Sequence, residues 1–205
     1  MGDEKIKEHN QFEKLIQELI DNECGISDDF FLPETIAGLR DNMTQLHKAG
    51  KMDYAGIGNK QDFQKNSLIR GDKINWIVYQ SQNPYEEVYQ KKVGRFIDYL
   101  NKTCFTSIKS AESHYAHYEV GGFYKKHIDQ FKSEKGRKFS IVLYLNEDWK
   151  QEDGGMLSIY PQKSEQKDIL PLGGRLVFFR SDEMEHEVHP SSTRQRCSIA
   201  CWLKN

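Results

Sequence analysis

From Cys104 onward the hydrophobic period of the chain falls to two. This constrains the fold more than any other feature, because only extended backbone alternates its side chains in that way. The spacing predicts strands over residues 105–120, 123–129, 139–146, 156–160, 175–180 and 197–203, separated by Gly121-Gly122, Asp153-Gly154-Gly155 and Leu172-Gly173-Gly174. Many short strands joined by glycine turns imply a sandwich or jelly-roll barrel. The chain before Cys104 has a helical period instead. Phe12, Leu15, Ile16, Leu19 and Ile20 share one helix face, with Gly25 as the stop. Pro33 opens a second helix carrying Ile36, Leu39, Met43 and Leu46 up to Gly50, and a third runs from about Tyr85 to Asn101 with Tyr89, Val93, Phe96, Ile97 and Leu100 inward. A strand-like run occupies residues 74–79, and the polar segment 51–66 is expected to be a loop that borders the active site as a lid. The expected class is α+β, mainly β, with residues 1–205 as a single domain: a helical part to about residue 103 and a barrel core from about residue 104.

Charge and composition exclude several function classes. The 29 basic and 31 acidic residues are interspersed and give a net charge of -2, so no polybasic surface invites nucleic acid. Apolar runs such as Leu176-Val177-Phe178-Phe179 are far too short to cross a bilayer. The first residues show neither a secretory pattern nor a Ser or Thr at position 6 for myristoylation. Cys24, Cys104, Cys197 and Cys201 lack zinc-ligand spacing and are expected to be reduced thiols of a cytoplasmic monomer.

The chemistry is carried by His127-Ile128-Asp129 and, well downstream, His186-Glu187-Val188-His189-Pro190. On a strand His127 and Asp129 share a face, and His186 can complete a set of two imidazoles and one carboxylate. That set leaves about three positions of an octahedral metal open, the arrangement of non-haem Fe(II) oxygenases. A His-x-Asp triplet by itself is more often a solvated pair, and His189 is a rival ligand three residues after His186. An oxygenase that uses 2-oxoglutarate also needs a cation for the distal carboxylate. Arg196, opening the last strand, suits this role because its planar fork grips both oxygens; Arg194 has the same parity.

Five runs extend the pattern: Ile69-Arg70-Gly71-Asp72-Lys73-Ile74-Asn75-Trp76-Ile77, Tyr124-Lys125-Lys126-His127-Ile128-Asp129, Leu143-Tyr144-Leu145-Asn146-Glu147-Asp148-Trp149, Asp153-Gly154-Gly155-Met156-Leu157, and Phe178-Phe179-Arg180-Ser181-Asp182 before His186-Glu187-Val188. In this order they resemble the hypoxia-inducible-factor prolyl hydroxylases of the egg-laying-nine type and their bacterial relatives, over residues 30–202. The resemblance implies a double-stranded β-helix (jelly-roll, cupin-like) core buttressed by N-terminal helices. It further implies Fe(II) on His127, Asp129 and His186, with 2-oxoglutarate held by Arg196 and Tyr144 and hydrogen-bonded by Tyr118. O2 is the second cosubstrate, and ascorbate is a candidate reductant. Asp72 and Arg137 would form a pair tying their segment to the barrel near the substrate, with Arg70 and Trp76 also on the substrate side and Trp202 beside the metal pocket. The implied reaction is 4-hydroxylation of a prolyl residue in an exposed protein loop, with release of succinate and CO2; in bacterial relatives a translation elongation factor is a candidate target. Asp129 favours hydroxylation over halogenation, since related halogenases lack that carboxylate. The sequence departs from the pattern at Ala200, where a hydroxyl-bearing residue is typical, and by one residue in the spacings from Tyr118 to His127 and from His186 to Arg196. Two other readings remain: a hydroxylase of a free amino acid or small molecule, and a non-catalytic ligand-binding barrel.

Overall fold

The structure, a computed structural model, describes residues 2–56, 69–130 and 136–205. Three helices precede most of the strands: α1 (Gly2–Asn22), α2 (Pro33–Lys48) and α3 (Pro84–Cys104). Local chemistry sets their ends. Pro33 and Pro84 occupy first-turn positions where the missing N–H is no loss, and the Asn83 side chain accepts hydrogen bonds from the Tyr85 and Glu86 amides. Glu23, Gly50 and Phe105 turn the chain into the left-handed region at φ of 60, 67 and 54°. Gly25 is therefore not the stop of α1. It lies in a strand, β1 (Cys24–Ser27), where an added Cβ would stand 2.5 Å from the Leu15 carbonyl oxygen.

The remaining strands are β2 (Asp53–Tyr54), β3 (Asp72–Trp76), β4 (Ser110–Tyr118), β5 (Tyr124–His127), β6 (Arg137–Tyr144), β7 (Leu157–Tyr160), β8 (Lys167–Ile169), β9 (Leu176–Arg180), β10 (Glu185–Val188) and β11 (Arg196–Lys204). They form a seven-stranded sheet, β1-β9-β6-β11-β4-β3-β2, and a four-stranded sheet, β5-β10-β7-β8, antiparallel throughout. Two facing antiparallel sheets that exchange strands in this way make the double-stranded β-helix core. The predicted strands are present with shifted ends, β11 running one residue further at each end than expected, and β1, β2, β8 and β10 are additions. Of the expected lid, residues 57–66 lie outside the described residues, and Asp53–Tyr54 form a strand rather than a loop.

Parity divides the larger sheet into two faces. Ile141, Leu143, Leu176, Phe178, Ile199, Cys201 and Leu203 point to the helices and join Phe12, Phe30, Leu39 and Phe96 in one core. Phe96 meets Phe12 and Phe178 at centroid distances of 4.9 and 5.1 Å. Burying each such ring contributes about 1.5–3 kcal/mol. Alternate residues, Ala116, Tyr118, Tyr144, Val177 and Phe179, face the smaller sheet and meet Leu157, Ile159 and Val188 there.

Candidate metal centre and cavity

His127 and His186 are direct cross-strand partners of β5 and β10, so the pairing register alone brings their rings together, at a centroid distance of 4.2 Å. Asp129 lies two residues beyond His127, just past the end of β5, and β6 holds it in place. Ser140 Oγ donates to its Oδ2 at 2.6 Å, and Arg137 Nη1 donates to its backbone carbonyl at 2.9 Å. One ligating atom from each of the three residues lies within 4.8 Å of the other two. The nearest approaches are 3.6 Å from His127 Nε2 and 3.7 Å from His186 Nε2 to the two carboxylate oxygens.

Each imidazole is fixed in one tautomer. His127 Nδ1 lies 2.7 Å from the Lys125 carbonyl and His186 Nδ1 lies 3.0 Å from the Met184 carbonyl. A carbonyl only accepts, so both Nδ1 atoms carry hydrogen and both Nε2 atoms present a lone pair to the common centre. Tyr124 stacks on His127 at 3.5 Å and 15°, and the Arg70 guanidinium lies 4.5 Å from the centre of the Tyr124 ring. Burial lowers the His186 pKa to about 4 against the pull of Asp129, leaving it neutral at pH 7. Burial would raise the Asp129 carboxyl, but the two histidines and the Ser140 hydroxyl outweigh it and hold the group well below the usual carboxylate range. Neutral imidazoles and an ionised carboxylate are the states a divalent metal requires. The donor set therefore fits Fe(II). His189 points elsewhere, with Nε2 2.7 Å from Ser158 Oγ.

The centre opens on a cavity of about 460 Å³, including its mouth, lined by His127, Asp129 and His186, by Arg70, Tyr118 and Tyr124, and by Arg196, Ser198, Ala200 and Trp202. Arg196 is 2 % exposed. Its Nε donates to Gly155 O at 2.9 Å and its Nη1 to Ser198 Oγ at 3.3 Å, while the rings of Tyr118 and Tyr144 lie 5.1 and 4.9 Å from Cζ. Gly155, at φ +66°, brings its carbonyl this close because a Cβ there would stand 3.3 Å from Arg196 Cδ. Among the described residues no carboxylate forms an ion pair with Arg196 and no group makes a hydrogen bond of good geometry to the buried Tyr144 hydroxyl, which feels the Arg196 charge. A buried cation and an orphaned hydroxyl side by side call for an anionic ligand. Arg194 is turned outward instead, with its guanidinium on the Glu147 and Asp148 carbonyls and over Trp149.

The expected Asp72–Arg137 pair is replaced by another arrangement. Asp72 takes both hydrogen bonds from Arg70, at 2.6 and 2.7 Å, whereas Arg137 lies over Trp202 at 3.5 Å and binds the Asp129 carbonyl. Trp76 is 49 % exposed and tilts against His114 and Trp202 at the cavity rim. The sequence reading missed His114 and Ser198, both of which line the cavity. Strand parity could have found them: His114 has the parity of Tyr118 in β4, and Ser198 that of Arg196 in β11.

Comparison with known proteins agrees with this geometry. The profile described as "2OG-Fe(II) oxygenase superfamily" matches residues 113–204. The match identifies a 2OG-Fe(II) oxygenase domain over these residues, and the chemistry of that superfamily uses Fe(II), 2-oxoglutarate and O2. Within it, the chain is homologous to prolyl hydroxylases. It is 34% identical to human Egl nine homolog 1 over 188 residues, which cover 86% of this chain and 42% of that protein. The chain spans roughly half the length of the Egl nine homolog 1 relatives it matches. Among solved structures it superposes on a Pseudomonas putida prolyl-4-hydroxylase with a TM-score of 0.85 at 28% identity, covering 95% of this chain and 98% of that one. A Trichoplax adhaerens prolyl hydroxylase in complex with a hypoxia-inducible-factor peptide gives a TM-score of 0.88 at 26% identity, covering 98% and 92%.

Proposed function

We propose that this chain is an Fe(II)- and 2-oxoglutarate-dependent dioxygenase that hydroxylates a prolyl residue of a protein loop at the 4-position. The observation that carries the proposal is the pairing of a two-histidine, one-carboxylate centre with a buried arginine that has no carboxylate partner among the described residues, both facing one cavity. His127, Asp129 and His186 would hold the metal. When bound, Fe(II) with 2-oxoglutarate supplies the oxidative decarboxylation that yields succinate and CO2 and delivers one oxygen atom of O2 to a C–H bond.

The chain's own residues bind and orient. Arg196 grips the distal carboxylate of 2-oxoglutarate, the Tyr144 hydroxyl donates to the same group, and Tyr118 supplies a further hydrogen bond. Ser198, next to Arg196, provides the hydroxyl that Ala200 does not. Val142, Leu157 and Val188 give the cavity a dry wall. The Arg70–Tyr124 stack sets the angle of the His127 ring, and Trp76 offers an exposed aromatic platform for a prolyl ring and its neighbours. A protein substrate accords with this open apolar rim, and a translation elongation factor is the candidate from the bacterial relatives. Reduced thiols and a ferrous centre suit a cytoplasmic setting, and no helix of the described residues is long and apolar enough to cross a membrane.

The test incubates the chain with Fe(II), 2-oxoglutarate and ascorbate, together with prolyl peptides or free proline. Peptide mass gain of one oxygen, matched by succinate, is the expected result. Turnover of free proline alone would replace the protein substrate with a small molecule.

A further inference from the structure

On the helix side of β4, facing away from the cavity, a second set of ligating atoms converges. His47 comes from the last turn of α2, His117 from β4, and Glu119 from just past its end, with one ligating atom of each within 4.8 Å of the others. The two imidazoles stack at 4.0 Å and 19°. His117 is 2 % exposed, and its Nε2 lies 3.1 Å from Gln195 Oε1. An amide oxygen only accepts, so Nε2 carries the hydrogen and Nδ1 is left with a lone pair. That buried Nδ1 has no hydrogen-bond partner. It faces Glu119 Oε1 at 3.8 Å, and His47 Nε2 approaches the same oxygen at 3.4 Å. What the cluster lacks is an electron-pair acceptor.

We propose that His47, His117 and Glu119 form a second metal site, for a divalent cation of the Zn²⁺ class, distinct from the triad in the cavity. Two imidazole nitrogens and one carboxylate oxygen match the ligand preference of zinc, whereas calcium and magnesium want oxygen alone. Glu119 and His47 side chains are 51% and 30% exposed, so the fourth position faces water. A bound ion would clamp the end of α2 to β4, the strand whose next side chain, Tyr118, lines the cavity on the opposite face. Gln195 acts as the outer partner that orients His117. Lys73 Nζ lies 3.3 Å from the same Glu119 oxygen and competes with the ion.

The test uses the full chain with His127→Ala and Asp129→Ala to silence the triad, titrated with Zn²⁺ by calorimetry and with Co²⁺ by visible absorption. One equivalent should still bind. Adding Gln195→Ala should weaken it by about 10–100-fold, His47→Ala or His117→Ala should weaken it further and erase the cobalt bands, and Lys73→Met should tighten it. His47 stands on a helix surface, so His47→Ala keeps the test sound even if His117→Ala disturbs the strand; metal-free unfolding curves check this. No bound equivalent, or zinc affinity and cobalt bands that survive His47→Ala, would overturn the proposal.

Discussion

The two faces of the seven-stranded sheet are built from the same strands and differ only in parity, yet they do opposite things. The helix face is a continuous apolar surface of Leu143, Leu176, Phe178, Ile199 and Leu203, closed by Phe12, Phe30 and Phe96. The cavity face sets Arg196, Ser198, Tyr118 and Tyr144 among fewer apolar side chains, and among the described residues it leaves Arg196 without a carboxylate counter-ion and the Tyr144 hydroxyl without a hydrogen bond. Free energy of folding therefore resides on one side, and polar groups held ready for a ligand on the other. Substitutions on the two faces should separate accordingly, with activity lost from the cavity face and stability from the helix face.

The largest effect belongs to the metal centre. Asp129→Ala should abolish succinate formation and stoichiometric Fe(II) binding while the chain stays folded, its unfolding midpoint lowered only modestly by the loss of the hydrogen bond from Ser140, because Asp129 stands past the end of β5. A large fall in the midpoint would break the division between faces. Arg196→Met comes next. Losing a buried charged hydrogen-bonding group opposite a charged ligand costs about 2–5 kcal/mol, so half-saturation by 2-oxoglutarate should rise by at least ~30-fold. Ligand-free stability should hold or rise, since the variant removes a buried cation without a counter-ion. Arg194→Ala should change neither. On the helix face, Phe178→Ala should lower stability by about 3–5 kcal/mol, measured by denaturant unfolding, with succinate yield per folded molecule retained.

The sequence shows this division unevenly. The helical stripes around Phe12, Leu39 and Phe96 and the alternation of β4, β6 and β11 are legible because each runs long enough to display its period. Strand β1 is not: Cys24-Gly25-Ile26-Ser27 is too short to alternate, and its pairing with β9 together with the close passage of Leu15 determines it. Gly25 therefore reads as a helix stop when it is a contact point. The same holds for β8, three residues paired only with β7. At the site, the triad residues stand out by chemistry, and the register of β5 on β10 was needed to show that His127 faces His186. The Arg70 partnership of Asp72 runs within one segment, two residues apart, whereas the resemblance pointed to the distant Arg137.

His114 sharpens the comparison, because it is a titratable group fully enclosed on the cavity face. Burial lowers its pKa from 6.5 to about 4, with the Arg70 charge acting in the same direction. The folded state thus resists protonation that the unfolded chain accepts below pH 6.5. Stability from this residue is complete above the unfolded pKa and falls as pH drops from 6.5 towards 4, by up to ~3 kcal/mol. His114→Asn should flatten that part of the stability profile while changing little at pH 8. Parallel profiles for the variant and the unaltered chain would show that His114 does not carry the dependence.

Tyr144→Phe should have the smallest effect, and it discriminates most finely between the faces. Leu143, its neighbour in β6, faces the helices, so the strand presents a packing residue and a polar one in succession. Deleting an ordinary buried hydroxyl that has a partner costs about 1 kcal/mol of stability. The Tyr144 hydroxyl has no hydrogen-bond partner among the described residues, so its deletion should leave the unfolding midpoint unchanged or slightly higher. The loss should appear only with ligand present. One hydrogen bond to a carboxylate is worth about 1.5–3 kcal/mol, which raises half-saturation by 2-oxoglutarate at least ~10-fold and leaves the maximal rate of succinate formation nearly intact. A lowered midpoint with unaltered 2-oxoglutarate dependence would make Tyr144 a packing residue like Leu143, and the polarity of this face would then rest on Arg196 alone.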